Sequence, residues 1–328
     1  MTTRRELLLA LGSVALGVPL ASFAQQQAAK VHRIGFLGAA SAIAYASRVE
    51  ALRAGLGDLK YVAGKNLVIE FRWANGNYDR LPDLAADLVR SKVDLIVTHG
   101  TPGTRAAKQA TATVPIVMAV SGDAVVNGLV ASLARPGGNV TGCTFFGPEL
   151  AAKRIEFLRE ALPRMRRFTA LINPGNPGMV PVTQAMQATA KALKLEFQQI
   201  PMQSPAELAD ALSAMATGGI EAFIVVEDAT LTANTKMIAD LATNRRIPSI
   251  GPREFSDAGG LIGYGVNNLE MFRRAAYFVD RILKGAKPGD LPVEQPTKFE
   301  TILNMKTAKA LGIKFPQAIL VRADRVIE

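Results

Sequence analysis

The sequence predicts an α/β protein of two similar lobes, each a parallel sheet covered by helices on both faces, with a ligand cleft between them. Two observations carry this expectation. Short, nearly continuous apolar runs alternate with helical stretches, as strands buried on both sides of a parallel sheet require. The same order of elements then runs through the chain a second time, so two sheets stand in tandem and their strand-end loops face each other. A chain of 328 residues with 49% hydrophobic content has enough apolar material for two such cores.

The first pass opens with an apolar strand at 33–37 and a small, polar loop at 38–41. Val49, Leu52, Leu56 and Leu59 recur at three and four residues, which places a half-buried helix. Leu67, Ile69, Phe71 and Trp73 alternate with Glu70 and Arg72 as an amphipathic strand. Leu81, Leu84, Ala85, Leu88 and Val89 mark the next helix, followed by a strand at 94–97, a loop at 98–103, a helix and a short strand at 114–117. The second pass opens with a strand at 168–172 and a loop at 173–178. Ser204-Pro205-Ala206-Glu207 is a capping box that starts a helix at Ser204, with Leu208, Leu212 and Met215 on its buried face. Strands at 222–226 and 247–250 complete the repeat. Beyond Gly265, Leu269, Phe272, Ala276, Val279 and Leu283 mark a long helix ending at Gly285, then an extended stretch at 291–296 and a strand at 300–303. The chain is expected to cross between lobes three times, near 145, 266 and 293. This makes an N-terminal lobe of 31–145 plus 266–292, and a C-terminal lobe of 146–265 plus 293–328, joined by a three-crossover hinge.

Arg4-Arg5 precede an apolar run from Leu7 to Leu20, and Ser22-Phe23-Ala24 supplies the small residues of a cleavage site. Residues 1–24 therefore read as a secretory signal peptide; the run is short for a membrane span and is broken by Gly17 and Pro19. Cys143 is the one cysteine, so no intramolecular disulfide is expected. The expectation is a monomer in the periplasm. Loss of Arg4, Arg5 and Glu6 with the signal lowers the net charge from +10 to +9. Its cations are scattered as pairs (Arg166-Arg167, Arg245-Arg246, Arg273-Arg274) without a basic arm or aromatic interleaving, which argues against a nucleic-acid partner.

His32, His99 and one cysteine cannot supply a metal site of the usual spacing, and there is no Gly-x-Ser-x-Gly elbow. Gly64-Lys65-Asn66 lacks the spacing of a phosphate loop, and Gly35-x-x-Gly38 lacks the close glycine pair of a dinucleotide fingerprint. No enzyme, cofactor or catalytic residue is expected, and His99 reads as cleft-lining or structural. In open α/β sheets ligands bind beyond the carboxyl ends of the strands. That rule selects Ser41, Thr101, Pro102 and Ser121 from the first lobe as neutral contacts, and Asn173 and Asn176 from the second. Asp123, Glu227 and Asp228 are the candidates for a ligand ammonium, and Tyr264 for stacking at a crossover. Several of these loops open onto helix N-termini, which favour a carboxylate. Each has a plainer role: the hydroxyls and Asp123 as helix or turn caps, Glu227 and Asp228 as solvated charges, Tyr264 as hinge packing, Arg253 in a pair with Glu254.

Four stretches carry a resemblance: 65–74 (KNLVIEFRWA), 78–82 (YDRLP), 128–142 (GLVASLARPGGNVTG) and 291–300 (LPVEQPTKFE). On these the chain resembles the substrate-binding proteins of bacterial ABC transporters, and within them the branch that includes tryptophan- and tyrosine-binding members. The resemblance implies the type I periplasmic-binding fold of two Rossmann-like lobes. It also implies capture of a small-molecule ligand by hinge closure, and delivery to an inner-membrane permease driven by a separate ATPase. Members usually carry proline after the aspartate of the Gly-Asp loop; Ala124 stands there in this chain, which implies a looser turn at Asp123. The sequence thus reads as a non-catalytic periplasmic receptor for a small carboxylate-bearing solute, an amino acid foremost. The competing reading is a ligand-sensing receptor for a membrane signalling partner.

Overall fold

A computed structural model describes residues 31–328; the expected signal peptide lies outside the described residues. The first pass gives β1 (His32–Gly38), α1 (Ala46–Asp58), β2 (Leu67–Trp73), α2 (Leu81–Arg90), β3 (Leu95–His99), α3 (Gly100–Ala110), β4 (Ile116–Gly122) and β5 (Val140–Phe145). The second gives α4 (Gly147–Ala161), β6 (Arg167–Ile172), α5 (Met179–Ala192), β7 (Glu196–Pro201), α6 (Leu208–Thr217), β8 (Ala222–Val225), α7 (Ala229–Ala233), α8 (Thr235–Asn244), β9 (Ser249–Gly251) and β10 (Ile262–Gly265). The return adds α9 (Asn268–Leu283), β11 (Glu300–Asn304), α10 (Met305–Leu311), α11 (Gln317–Arg322) and β12 (Arg325–Ile327).

The strands form two sheets, as the doubled pattern predicts. One is five-stranded in the order β2-β1-β3-β4-β5, and the other is seven-stranded in the order β12-β11-β10-β9-β8-β6-β7. All pairings are parallel except β10 with β11. The interior strands β3 and β8 are buried along their whole length, which is why they read as mostly apolar runs. The alternating β2 sits at an edge, where polar side chains such as Glu70 and Arg72 keep contact with water. Each sheet has its own core. Ile34, Phe36, Val97 and Val117 belong to the first, and Phe168, Leu171, Phe223 and Ile250 to the second.

Several boundaries differ from the expected ones, and two of them matter for the site. β3 passes directly into α3 with no intervening loop, and β4 starts later and runs further, to Gly122. The capping box at Ser204 is rearranged. The Glu207 carboxylate accepts the Gln203 amide and the Ser204 hydroxyl, both at 3.0 Å, and α6 begins after a 3₁₀ turn over Pro205–Glu207. The long helix α9 buries Phe272, Ala275, Ala276 and Val279 in the first core, while Leu269 stays exposed. The stretch after it runs beside β5: Thr144 N–H donates to Glu294 O and Glu294 N–H to Gly142 O, each at 2.9 Å, with Leu291 and Val293 in the first core. β11 then enters the second sheet against β10.

Gly142, the last residue of the 128–142 stretch, shows why a glycine ends it. Its φ is +126°, and a Cβ there would lie 2.2 Å from the Met118 carbonyl oxygen in β4. Both the dihedral and the close approach exclude a side chain. Gly142→Ala is therefore expected to destabilise the protein by at least about 2 kcal/mol. A urea midpoint equal to that of the wild type would show that β4 and β5 can part here without cost.

Candidate functional site

A cleft of about 800 Å³, counting its open mouth, lies between the strand ends of the two sheets. Thr101 and Pro102 reach it because α3 starts at the end of β3, so both occupy a first helical turn. No side chain caps that turn, and its free N–H groups and dipole present positive character to the cleft. Thr101 also stands at a close approach of the lobes: a Cβ on Gly178 would fall 2.6 Å from Thr101 Oγ1. Gly178 has an ordinary helical φ of −68°, so the glycine is needed for space between the lobes and not for backbone freedom.

One wall of the cleft is aromatic. The His99 ring stacks on Tyr45 at 4.2 Å between centroids and lies 5.9 Å from Phe272. His99 Nε2 accepts the Ala39 amide at 3.2 Å. Burial, helped by the nearby Arg48 cation, lowers the His99 pKa to about 3, so the imidazole is neutral at physiological pH. Burial likewise pushes the Tyr45 phenol up to about 12. Met179 and Val182 add apolar surface from the second lobe.

The acidic residues divide into two paired and one open. Asp228 is buried and accepts from Tyr78 Oη at 2.9 Å, Asn176 Nδ2 at 3.0 Å, Asn173 Nδ2 at 3.3 Å, Thr230 N–H at 2.9 Å and Leu231 N–H at 3.2 Å. Burial raises its pKa, and the bonds from Asn176 and Tyr78 oppose that rise. The carboxylate thus caps α7 and ties Tyr78 of the first lobe to the second, and its acceptor sites are filled. Glu227 also lines the cleft, but the nearly fully buried Arg154 donates to both its oxygens, Nη1 to Oε2 at 2.8 Å, and to the Tyr264 carbonyl. Asp123 is different. Its Oδ1 accepts the Val125 and Val126 amides at 3.1 and 3.0 Å, and Oδ2 has no bond among the described residues.

The turn at Asp123 is tied rather than loosened by Ala124. The Ala124 amide donates to Thr144 Oγ1 at 3.0 Å, a bond that proline could not make. Ser121 falls inside β4 and not in a loop; it is buried, does not line the cleft, and its hydroxyl has no partner in the structure. Tyr264 lies in β10 opposite Thr301, with its ring against Phe157 and Phe299, outside the cleft lining. Ser41 and Asn173 line a more polar groove next to the cleft, and Ser41 Oγ accepts the Ala44 amide as a turn cap. Arg253 pairs with Glu300 at 2.5 Å, while Glu254 accepts from Asn268. The structure thus brings Thr101, Pro102, Asp123, Asn176, Glu227 and Asp228 together around one cavity. Strand-end reasoning missed Tyr45, Arg48, Tyr78 and Phe272, which sit in or at the start of helices, and Asn127, which lies in the turn after Asp123. Among the described residues no group of side chains could hold a metal ion, and no helix is long and apolar enough to cross a membrane.

Residues 38–327 match the family described as ABC transporter substrate binding protein. The chain belongs to that family. It is 28% identical over 260 residues to the tyrosine-binding protein of Clostridioides difficile, covering 79% of this chain and 74% of the relative. A Streptococcus pneumoniae ABC domain solved in complex with L-Trp is 25% identical with a TM-score of 0.82, covering 91% of this chain and all of the other. A conserved domain protein from Vibrio cholerae is 26% identical with a TM-score of 0.84, covering 90% of this chain and all of the other. Its members bind solutes for ABC transporters and are not enzymes, and the chain has their type I periplasmic-binding fold.

Two outcomes follow from this geometry. Gly178→Ala keeps an allowed backbone but wedges the lobes apart at Thr101, so it should weaken ligand binding by about ten- to a hundredfold. Its melting temperature should stay near that of the wild type; a variant that binds normally would show that the lobes need not meet there. His99 has a folded pKa of about 3 against an ordinary value near 6.5, so below pH 6.5 the unfolded chain takes up a proton that the folded one refuses. Its neutral state therefore costs stability as pH falls through 6.5 toward 3, about 2 kcal/mol by pH 5. Denaturant unfolding at pH 7.5 and pH 5 should show that loss in the wild type and a smaller one in His99→Gln.

Proposed function

We propose that this chain is a periplasmic receptor that captures an amino acid with a large apolar or aromatic side chain. It passes the solute to an ABC permease driven by a separate ATPase, and acts as a monomer. The observation that carries this reading is the composition of the cleft. Uncharged aromatic and apolar side chains of Tyr45, His99, Phe272, Met179 and Val182 share the cleft with an open carboxylate oxygen, on Asp123, and an uncapped helix start, at Thr101 and Pro102. An α-ammonium suits the first of these polar groups and an α-carboxylate the second. Thr101, Pro102, Asp123 and Asn176 are the proposed ligand contacts among the residues picked from the sequence. Glu227 and Asp228 are assigned to shaping the cleft, and Ser41, Ser121, Asn173 and Tyr264 to support around it. The tyrosine- and L-Trp-binding relatives agree with such a ligand class.

Closure is proposed to bend the crossings near 145, 266 and 293, between lobes of 31–145 plus 266–292 and 146–265 plus 293–328. The Tyr78–Asp228 bond is then a contact of the closed form. A panel of L-tryptophan, L-tyrosine, L-phenylalanine, L-leucine and small organic acids tests the ligand class by thermal shift. A bound amino acid at about a hundred times its Kd should stabilise the protein by about 2.7 kcal/mol. A shift produced by organic acids or other solutes and by no amino acid would overturn the reading.

A further inference from the structure

Among the described residues, the charged side chains that line the cleft are Arg48, Asp123, Glu227 and Asp228. Arg154 neutralises Glu227, and Asp228 is enclosed by donors from both lobes. One cation and one carboxylate are left over, Arg48 and Asp123. Arg48 is half-buried, its side chain has no ion pair and no hydrogen bond among the described residues, and its guanidinium lies 4.9 Å from the centroid of the Tyr45 ring. It also stands in the first turn of α1, where no acidic residue accompanies it and the helix dipole disfavours a cation. The Tyr45 ring face favours the cation, but no carboxylate neutralises it and the positive end of its own helix opposes it. A group kept in that position beside a cleft is suited to an anion that arrives with the ligand.

We infer that Arg48 is the charged anchor of the ligand's carboxylate, so that the cleft presents one positive and one negative group to a zwitterion. The guanidinium lies over the Tyr45 ring, a contact that favours the cation, and Arg48 lines the cavity. Tyr45 stacks on His99, the residue that precedes α3, so the cation and the open first turn of α3 belong to the same wall. This rests on the amino-acid reading above and adds the residue that would discriminate an amino acid from the corresponding amine.

Isothermal titration of the wild type, Arg48→Met and Arg48→Lys with L-tryptophan and tryptamine, and with L-tyrosine and tyramine, tests it. Arg48→Met should bind the amino acids about 10- to 150-fold more weakly while its affinity for the amines, which lack the carboxylate, hardly changes. Arg48→Lys keeps the charge and should recover part of the loss. An equal loss for amino acid and amine would mean that Arg48 only packs the aromatic wall, and no loss for either would mean a solvated cation; both results overturn the assignment while leaving the amino-acid reading in place. If the wild type binds neither amino acid, that reading falls and this assignment falls with it. Equal melting temperatures of the three proteins without ligand confirm that the comparison reports binding.

Discussion

Asp228 is the constraint on which the rest of the site depends. Burying an ionised carboxylate is costly unless donors surround it, and here the donors come from three separate places. Asn173 and Asn176 come from the loop after β6, two amides come from the start of α7, and the Tyr78 hydroxyl comes from the other lobe. Satisfying one buried carboxyl group therefore fixes the conformation of two strand-end loops. It also rewards the approach of the lobes, because Tyr78 supplies its bond only when they are near. Asn173 Oδ1 and Asn176 Oδ1 accept the amides of Gly175 and Gly178, so the same two side chains shape the turn that leads to the tight contact with Thr101.

The Glu227 carboxylate is committed to an ion pair. Arg154 reaches from α4 to Glu227 after β8 and to the carbonyl of Tyr264 in β10, and so joins two strand ends of the second sheet to the helix that follows the first crossing. Two of the three acidic residues in the cleft are thus consumed in building it. Sequence alone ranks Asp123, Glu227 and Asp228 alike, because all three follow strands. Only the partners separate them, and the partners lie 73 residues away for Glu227 and 150 for Tyr78–Asp228.

The order of strands and helices was legible because parallel sheets demand unbroken apolar strands and the helices show their stripes. Where strands end was less legible, since an apolar strand entering a small-residue helix, as β3 does at Gly100, leaves no turn signal. That is why Ser121, read as loop, lies inside β4, and why Tyr264 pairs within a sheet. The cleft was located by topology, but topology points to loops and not to the first helical turns beyond them. Arg48 and Tyr45 were invisible for that reason. Tyr78 stood inside one of the four matching stretches, yet its role depends on a partner in the other lobe that no local pattern encodes.

His99 shows how such a site differs from a catalytic one. An imidazole at a strand end in a cleft has the placement of a general base, but a base must be able to take up a proton near neutral pH. Here Nε2 is committed to the Ala39 amide, the ring is sandwiched in the aromatic wall, and burial moves its protonation far below neutrality. The same features that remove it from chemistry build the cleft: the bond to Ala39 joins the ends of β1 and β3, and the neutral ring leaves an uncharged surface on the cleft wall. A receptor gains from groups that hold one charge state across the pH range in which it works, and the neutral His99–Tyr45 stack has that property. The charges left unmatched are then free to be matched by the ligand alone.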